Sequence, residues 1–132
     1  MHLVAICGDI EKMYRQIRVH PDDTDFQRIL WRNERTEPIQ EYRLLTVTYG
    51  TSSAPFLATR SLHQLALDEE VHFPEASSVV KHDFYVDDLL SGASSKEAAK
   101  TLIHDIDCLL RKGGFPLRKW LSNEPEILSD FS

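Results

Sequence analysis

The sequence contains few cysteines, the residues whose disulfides cross-link small extracellular domains. Among its 132 residues only Cys7 and Cys108 are cysteines, and neither belongs to a CxxC pair. Two isolated cysteines argue against a disulfide framework and a cysteine-ligated zinc site, and they suit a reducing compartment. Hydrophobic residues make up 42% of the chain, which is enough for a core. We therefore expect one domain held together by that core.

Long apolar runs and a basic leader are also missing. No stretch approaches the roughly 20 apolar residues that a membrane span requires. The longest near the start, residues 3–7, has only the length of a strand. No basic segment is followed by a long apolar one, so no secretory signal is visible. We expect an intracellular protein that does not contact a membrane.

The sequence contains fewer basic than acidic residues. Lys and Arg together number 15 against 21 Asp and Glu, which leaves a net charge of -6. Proteins that grip nucleic acid usually carry a basic face, because phosphate neutralisation supplies much of the affinity. Any nucleic-acid role must therefore depend on a local basic patch or on segments outside this chain.

The pattern of apolar residues predicts an alternation of strands and helices. It favours a strand at 3–7, a short helix or turn at 10–17, and a hairpin of strands at 26–32 and 42–49. A helix follows the small residues 50–55 and is capped by Ser52 or Ser53. The residues of this helix expected to face the core are Phe56, Leu57, Ala58, Leu62, Leu65 and Ala66. A connection at 69–78, a strand from Val79, an acidic hairpin at 83–92, a helix with a capping box from Ser94 to Glu97, and a strand at 115–121 follow. This order predicts an α+β domain with helices on one face of a mainly antiparallel sheet.

Three carboxylates stand where apolar strands reach the surface. Asp9 ends the first strand, and Asp87 and Asp88 lie at the tip of the acidic hairpin. If those strands are neighbours, the carboxylates converge and repel one another, and divalent ions such as magnesium or manganese would relieve the repulsion. Two such ions about 4 Å apart can clamp an in-line phosphoryl transfer. The alternative is an ordinary turn, since Asp suits turns and the spacing alone does not bring Asp9 to Asp87.

Four segments resemble the motifs of reverse transcriptases, in the order of that family. Phe84-Tyr85-Val86-Asp87-Asp88 resembles the YxDD hairpin, and the segment from Gly8 to Ile17 resembles the first catalytic motif. The segment from Tyr49 to Phe56 is similar to the Gly-x-Ser-Ser-Ala-Pro motif, and the segment from Gly113 to Trp120 is similar to the fourth palm motif. The match covers about residues 3–122. The sequences of these motifs are most similar to those of the polymerases of BEL/Pao-type retrotransposons.

The resemblance implies a ferredoxin-like or RRM-like polymerase palm that acts as an RNA-directed DNA polymerase. Such an enzyme adds a dNTP to a primer 3′-OH with two Mg²⁺ ions, or with Mn²⁺. By resemblance, Asp9 and Asp87 bridge the metals, Asp88 plays a lesser part, and the carbonyl of Ile10 is a further ligand. Lys119, with Arg118 as a rival, protonates the departing pyrophosphate.

Further roles also come from the resemblance. Tyr14 falls where the family places a ring against the sugar 2′ position, and Tyr49 and Gly50 would line the incoming nucleotide. Tyr85 and Val86 would shape the floor beside the primer end. For each of these residues, the alternative is simple packing or turn formation.

Residues 1–132 correspond to one partial domain, a palm with an adjoining fingers hairpin. The upstream fingers, primer grip, thumb and RNase H of the family have no counterpart in this sequence. The implied partners are an RNA or DNA template, a DNA or RNA primer, a dNTP and the rest of a Gag-Pol-type polyprotein, in the cytoplasm or in virus-like particles. We expect the chain alone to polymerise poorly or not at all.

Two other classes of function stay open. One is a catalytically inactive retroelement remnant, or a non-enzymatic binding module on the same fold. The other is a different two-metal enzyme, such as a nucleotide cyclase or an RNA-templated RNA polymerase. A small residue in place of Tyr14 and a Gly in place of Val86 would favour RNA synthesis, and neither is present.

Overall fold

The computed structural model describes residues 3–129 and 131. It has a mixed helix and sheet architecture built on a four-stranded antiparallel sheet, which confirms the α+β prediction. The strands of this sheet are β1 (Val4–Ile10), β4 (Phe84–Tyr85), β5 (Asp88–Ala93) and β6 (Leu117–Ser122), in the order β4-β5-β1-β6. A separate two-stranded sheet pairs β2 (Arg28–Trp31) with β3 (Gln40–Arg43).

Strand β1 shows why the sheet has one buried face. Its residues alternate, so that Val4, Ile6 and Ile10 are buried while Ala5 is exposed and Cys7 half-buried. The buried side packs against helices α1 (Ala54–Glu69), α2 (Pro74–His82) and α3 (Lys96–Lys112). On the other face, Leu90 and Leu121 stay 68% and 66% exposed. Asp9 follows Cys7 on this open side by the same alternation.

Helix α3 is the most regular element and supplies much of the core. Its buried residues recur at steps of three and four: Ala99, Leu102, Ile103, Ile106, Leu109 and Leu110. The helix ends at Gly113, as the sequence predicts, but it begins one residue later than the predicted capping box. Ser95, not Ser94, is the N-cap, and its hydroxyl accepts a hydrogen bond from the Ala98 N–H at 3.1 Å.

The predicted strand from Val79 is wrong, since this segment belongs to α2. Pro74 stands at the first turn, where proline favours a helix, and Ala76, Ser77 and Val80 present one buried side at helical spacing. Two apolar residues in succession could not distinguish strand from helix. The predicted connection at 69–78 is correspondingly shorter.

Two smaller expectations also need correction. The return strand of the first hairpin ends at Arg43, not at residue 49, because the chain then pairs elsewhere: Val47 N–H donates to the Ile17 carbonyl at 2.9 Å. In α1, Phe56 and Leu57 are 68% and 39% exposed rather than buried, and Ala54 joins the core instead. Within the described part of the chain, no helix has both the length and the apolar character needed to cross a membrane.

Candidate metal centre

The centre is assembled by pairing strands that are far apart in the sequence. β1 and β5 run antiparallel in a register that sets Asp9 directly opposite Asp88. One residue further, the Ile10 N–H donates to the Asp87 carbonyl at 2.9 Å, which continues the ladder into the hairpin turn. Asp87 and Asp88 are consecutive, so this register brings both to the end of β1. The two acidic segments are therefore neighbours, which the sequence spacing left open.

The three carboxylates lie close together. Asp9, Asp87 and Asp88 each contribute a carboxylate oxygen to a set whose members are all within 4.8 Å of one another. Asp9 and Asp87 are half-buried and Asp88 is exposed. Across residues 3–129 and 131, no other three acidic, histidine or cysteine side chains approach one another in this way. We call these three residues the carboxylate cluster.

Burial and repulsion act on Asp9 most strongly. Burial raises the pKa of its carboxyl group, and the negative charges of Asp87 and Asp88 raise it further, against a smaller lowering by Lys119. One oxygen, Oδ1, is buried and has no hydrogen-bond partner among the described residues. A buried carboxylate oxygen without a partner is costly unless a proton or a cation compensates it. The cluster therefore has the chemistry of a cation site made of oxygen donors, the donor type that magnesium and manganese prefer.

The turn between β4 and β5 holds the acidic pair in a strained backbone. Val86 has φ 55°, a left-handed conformation that a β-branched residue rarely adopts. Its side chain packs against the core, which compensates part of that cost. Below the turn, Ser91 Oγ donates to Asp83 Oδ2 at 2.6 Å and links the two strands. Strain of this kind persists where the surroundings enforce it, and it is often found at functional positions.

Strand β6 brings two basic residues to the other side of β1. A register irregularity lies between Cys7 and Asp9, after which Asp9 pairs with Arg118. Lys119 has φ 56°, and its Nζ lies 4.0 Å from Asp9 Oδ2. Arg118 instead places its Nε 3.3 Å from Glu11 Oε2. Of the two rivals for the proton-donor role, Lys119 is thus the one beside the carboxylate cluster.

The structure brings two of the predicted nucleotide-lining residues together. The rings of Tyr14 and Tyr49 contact each other, with centroids 4.5 Å apart and planes at 47°. Gly50 has φ 86° with open space where a Cβ would stand, so its conformation needs glycine while its surroundings do not. Tyr85 is 82% exposed on the open face of the sheet. The side chain of Ile10 is fully buried, which leaves only its backbone available to a ligand.

Sequence reasoning gave no role to Lys12 and Arg15, which line a groove of about 560 Å³ with Thr46 and Tyr49. The available signal was a pair of basic residues three positions apart, directly after the acidic motif of a chain that is acidic overall.

A scan against models of protein families matches none of them, and no curated protein matches the chain either.

Proposed function

We propose that this chain is the palm segment of a reverse transcriptase, an RNA-directed DNA polymerase, from a retrotransposon polyprotein of the BEL/Pao type. The observation that carries the proposal is the convergence of Asp9, Asp87 and Asp88 within 4.8 Å at the end of a β1–β5 pair. Nucleotidyl transfer by two metal ions needs carboxylates that converge from separate segments in this way.

Two further observations support the proposal. The four motif-like segments stand in the order of the family, and the fold places the Asp9 strand beside both the Phe84–Asp88 hairpin and the strand of the fourth segment. The four-stranded antiparallel sheet with helices against one face is compatible with a ferredoxin-like palm. The isolated β2–β3 pair then corresponds to the adjoining fingers hairpin.

In this proposal Asp9 and Asp87 would hold two divalent ions, the Ile10 carbonyl would be a further ligand, and Asp88 would play a lesser part. The ions would activate the primer 3′-OH and neutralise charge on the departing pyrophosphate. Lys119 carries a proton near the Asp9 side of the cluster, where it can protonate that pyrophosphate. The ring of Tyr14 disfavours a ribose 2′-OH by steric exclusion, and Tyr49, whose ring contacts it, lines the incoming nucleotide.

The remaining residues have supporting roles. Gly50 lets the backbone approach the incoming nucleotide, because no side chain occupies the space beside it. Tyr85 and Val86 form the floor next to the primer end. The template, the primer and the dNTP are the partners, and basic grips for them would come from the rest of the polyprotein, since this chain has a net charge of -6.

The first test is metal binding, measured by the electron paramagnetic resonance of Mn²⁺ titrated into the purified chain. We expect binding that Asp87→Asn weakens by at least about tenfold, because removing one charged ligand costs more than about 1.4 kcal/mol. Asp23→Asn is the matched control, as Asp23 is exposed and lies outside the cluster. Equal Mn²⁺ affinities for the wild type and Asp87→Asn would overturn the proposal.

The second test is single-nucleotide primer extension on an RNA template, at high protein concentration, with Mg²⁺ or Mn²⁺. We expect slow, template-directed addition of a deoxynucleotide that is lost in Asp87→Asn and retained in Asp23→Asn. Robust, processive extension would contradict the expectation that the chain needs additional segments. Metal binding without template-directed addition, even when the remaining polymerase segments are fused to the chain, would instead favour the inactive remnant.

A further inference from the structure

A groove that follows the carboxylate cluster along the chain has one basic wall and one wall that includes an aromatic ring. Lys12 and Arg15 form the first, and Thr46 and Tyr49 form the second, around a volume of about 560 Å³. Lys12 follows Asp9 by three residues, and three Cα–Cα steps span at most about 11 Å. This limit places the backbone of the basic wall near the end of β1 that carries Asp9.

Backbone hydrogen bonds fix both walls. The Arg15 N–H donates to the Lys12 carbonyl at 2.9 Å, closing the 3-10 helix Met13–Gln16. Met13 is only 1% exposed, so it anchors this turn in the core while Lys12 and Arg15 stay exposed. The opposite wall is held where the Val19 N–H donates to the Leu45 carbonyl at 2.9 Å and where Arg18 bridges to Thr46.

The charges on the basic wall are not neutralised within the protein. No carboxylate among the described residues lies within 4.0 Å of the charged nitrogens of Lys12 or Arg15, and the same holds for neighbouring Arg18. By contrast, Arg118 pairs with Glu11 on the other side of β1. Cations gathered without counter-charges, in a chain that is acidic overall, attract an anionic ligand to that place.

We propose that Lys12 and Arg15 bind the terminal phosphates of the incoming nucleoside triphosphate. This inference rests on the proposed function, because it takes the reacting phosphate to lie at the carboxylate cluster. A polyphosphate has the required charge, and in this proposal one end lies at the metal ligands and the other in the groove. Lys supplies a point charge and Arg a bidentate fork, and both suit phosphate oxygens.

The Tyr14–Tyr49 pair connects the two ends of such a ligand. Tyr49 lines the groove, and its ring contacts Tyr14 on the same 3-10 helix that carries Arg15. A sugar packed on these rings would have its phosphates directed along the basic wall. The palm would then contribute its own cations to the triphosphate, in addition to any that other segments of the polyprotein supply.

The test is isothermal titration of the purified chain with sodium tripolyphosphate in EDTA at constant ionic strength. We expect Lys12→Ala/Arg15→Ala to lower the affinity by at least about tenfold. The matched control is Arg60→Ala/Lys100→Ala, which removes the same charge from exposed positions on α1 and α3 and should change the affinity less than about twofold. All four side chains are exposed, so the variants should fold, and circular dichroism checks this.

Equal losses in the two double variants would overturn the inference, since only net charge would then matter. Binding of a 5′-hydroxyl oligothymidylate through Lys12 and Arg15, without binding of tripolyphosphate, would also overturn it and make the groove a phosphodiester site. The Mn²⁺ titration is run on the same samples without polyphosphate. If Asp87→Asn binds Mn²⁺ as tightly as the wild type, the proposed function is overturned. If only the tripolyphosphate affinities of the two double variants are equal, the assignment of Lys12 and Arg15 alone is overturned.

Discussion

Asp9 and Asp88 face each other directly across the antiparallel pair of β1 and β5. Like charges in opposed positions destabilise a sheet, and Asp87 adds a third negative charge within 4.8 Å. Gathering these side chains at the end of β1 therefore lowers the stability of the metal-free fold. Because the repulsion lowers stability, unfolding measurements on variants of the cluster can detect it.

Removal of one charge from the cluster should stabilise the metal-free chain. Repulsion between two carboxylates 4–5 Å apart is about 1 kcal/mol even at the dielectric constant of water. We therefore expect Asp87→Asn to raise the melting temperature in EDTA by about 2–8 °C. Mn²⁺ should stabilise the wild type and have little effect on the variant. A melting temperature in EDTA that is unchanged or lower in Asp87→Asn would show that the repulsion is already relieved by other means.

The stability of the metal-free chain should depend on pH through Asp9. Because the pKa of Asp9 in the folded chain is raised above its ordinary value of 3.8, the folded state holds this proton more tightly than the unfolded state does. The stability contributed by protonated Asp9 is present below pH 3.8 and is lost as the pH rises through the raised pKa. In EDTA, Asp9→Asn should therefore gain stability relative to the wild type as the pH rises from below 3.8 through the raised pKa of Asp9. Thermal unfolding of both proteins across this range measures the difference, and a constant difference would contradict the assignment.

The strained turn at Val86 predicts an unusual order of substitutions. At an ordinary strand or helix position Ala is more stable than Gly. At φ 55° the Cβ of any L-residue costs roughly 1–2 kcal/mol, and glycine avoids this cost. Val86→Gly should therefore unfold at a higher denaturant concentration than Val86→Ala, although both lose the packing of the valine methyl groups. Urea unfolding of the two variants tests this order, and the opposite result would mean that the turn relaxes when valine is removed.

Ser77 offers a prediction that concerns stability and not the site. Its side chain is fully buried in α2, and its Oγ has no hydrogen-bond partner among the described residues. A buried hydroxyl without a partner costs about 1–3 kcal/mol, so Ser77→Ala should raise the free energy of unfolding by about 1 kcal/mol. The next residue, Ser78, is exposed on the same helix, and Ser78→Ala should change this energy by less than about 0.5 kcal/mol. A loss of stability in Ser77→Ala would point to a buried water that bonds to the hydroxyl.

Local patterns were sufficient for the elements whose residues interact with near neighbours in the sequence. The three- and four-residue spacing of apolar side chains predicted α3, and apolar residues around an acidic pair predicted the β4–β5 hairpin. Local patterns failed at Val79, where two β-branched residues are compatible with either period, and at Ser94, where adjacent serines compete for one cap. Their positions at the ends of apolar strands selected Asp9, Asp87 and Asp88, and the resemblance to reverse transcriptases gave them roles but left open whether Lys119 or Arg118 faces them.

The sequence by itself determined the order of the elements other than α2, the acidic turn and the excess of negative charge, because these depend on residue type and short-range spacing. Only the tertiary structure decided that β1 lies between β5 and β6, that Asp9 meets Asp88, and that Lys119 approaches Asp9 while Arg118 pairs with Glu11. It also decided that Lys12 and Arg15 share a groove with Tyr49. The physical reason is that alternation specifies which face of a strand is buried, whereas its neighbour and register follow from the packing of distant segments.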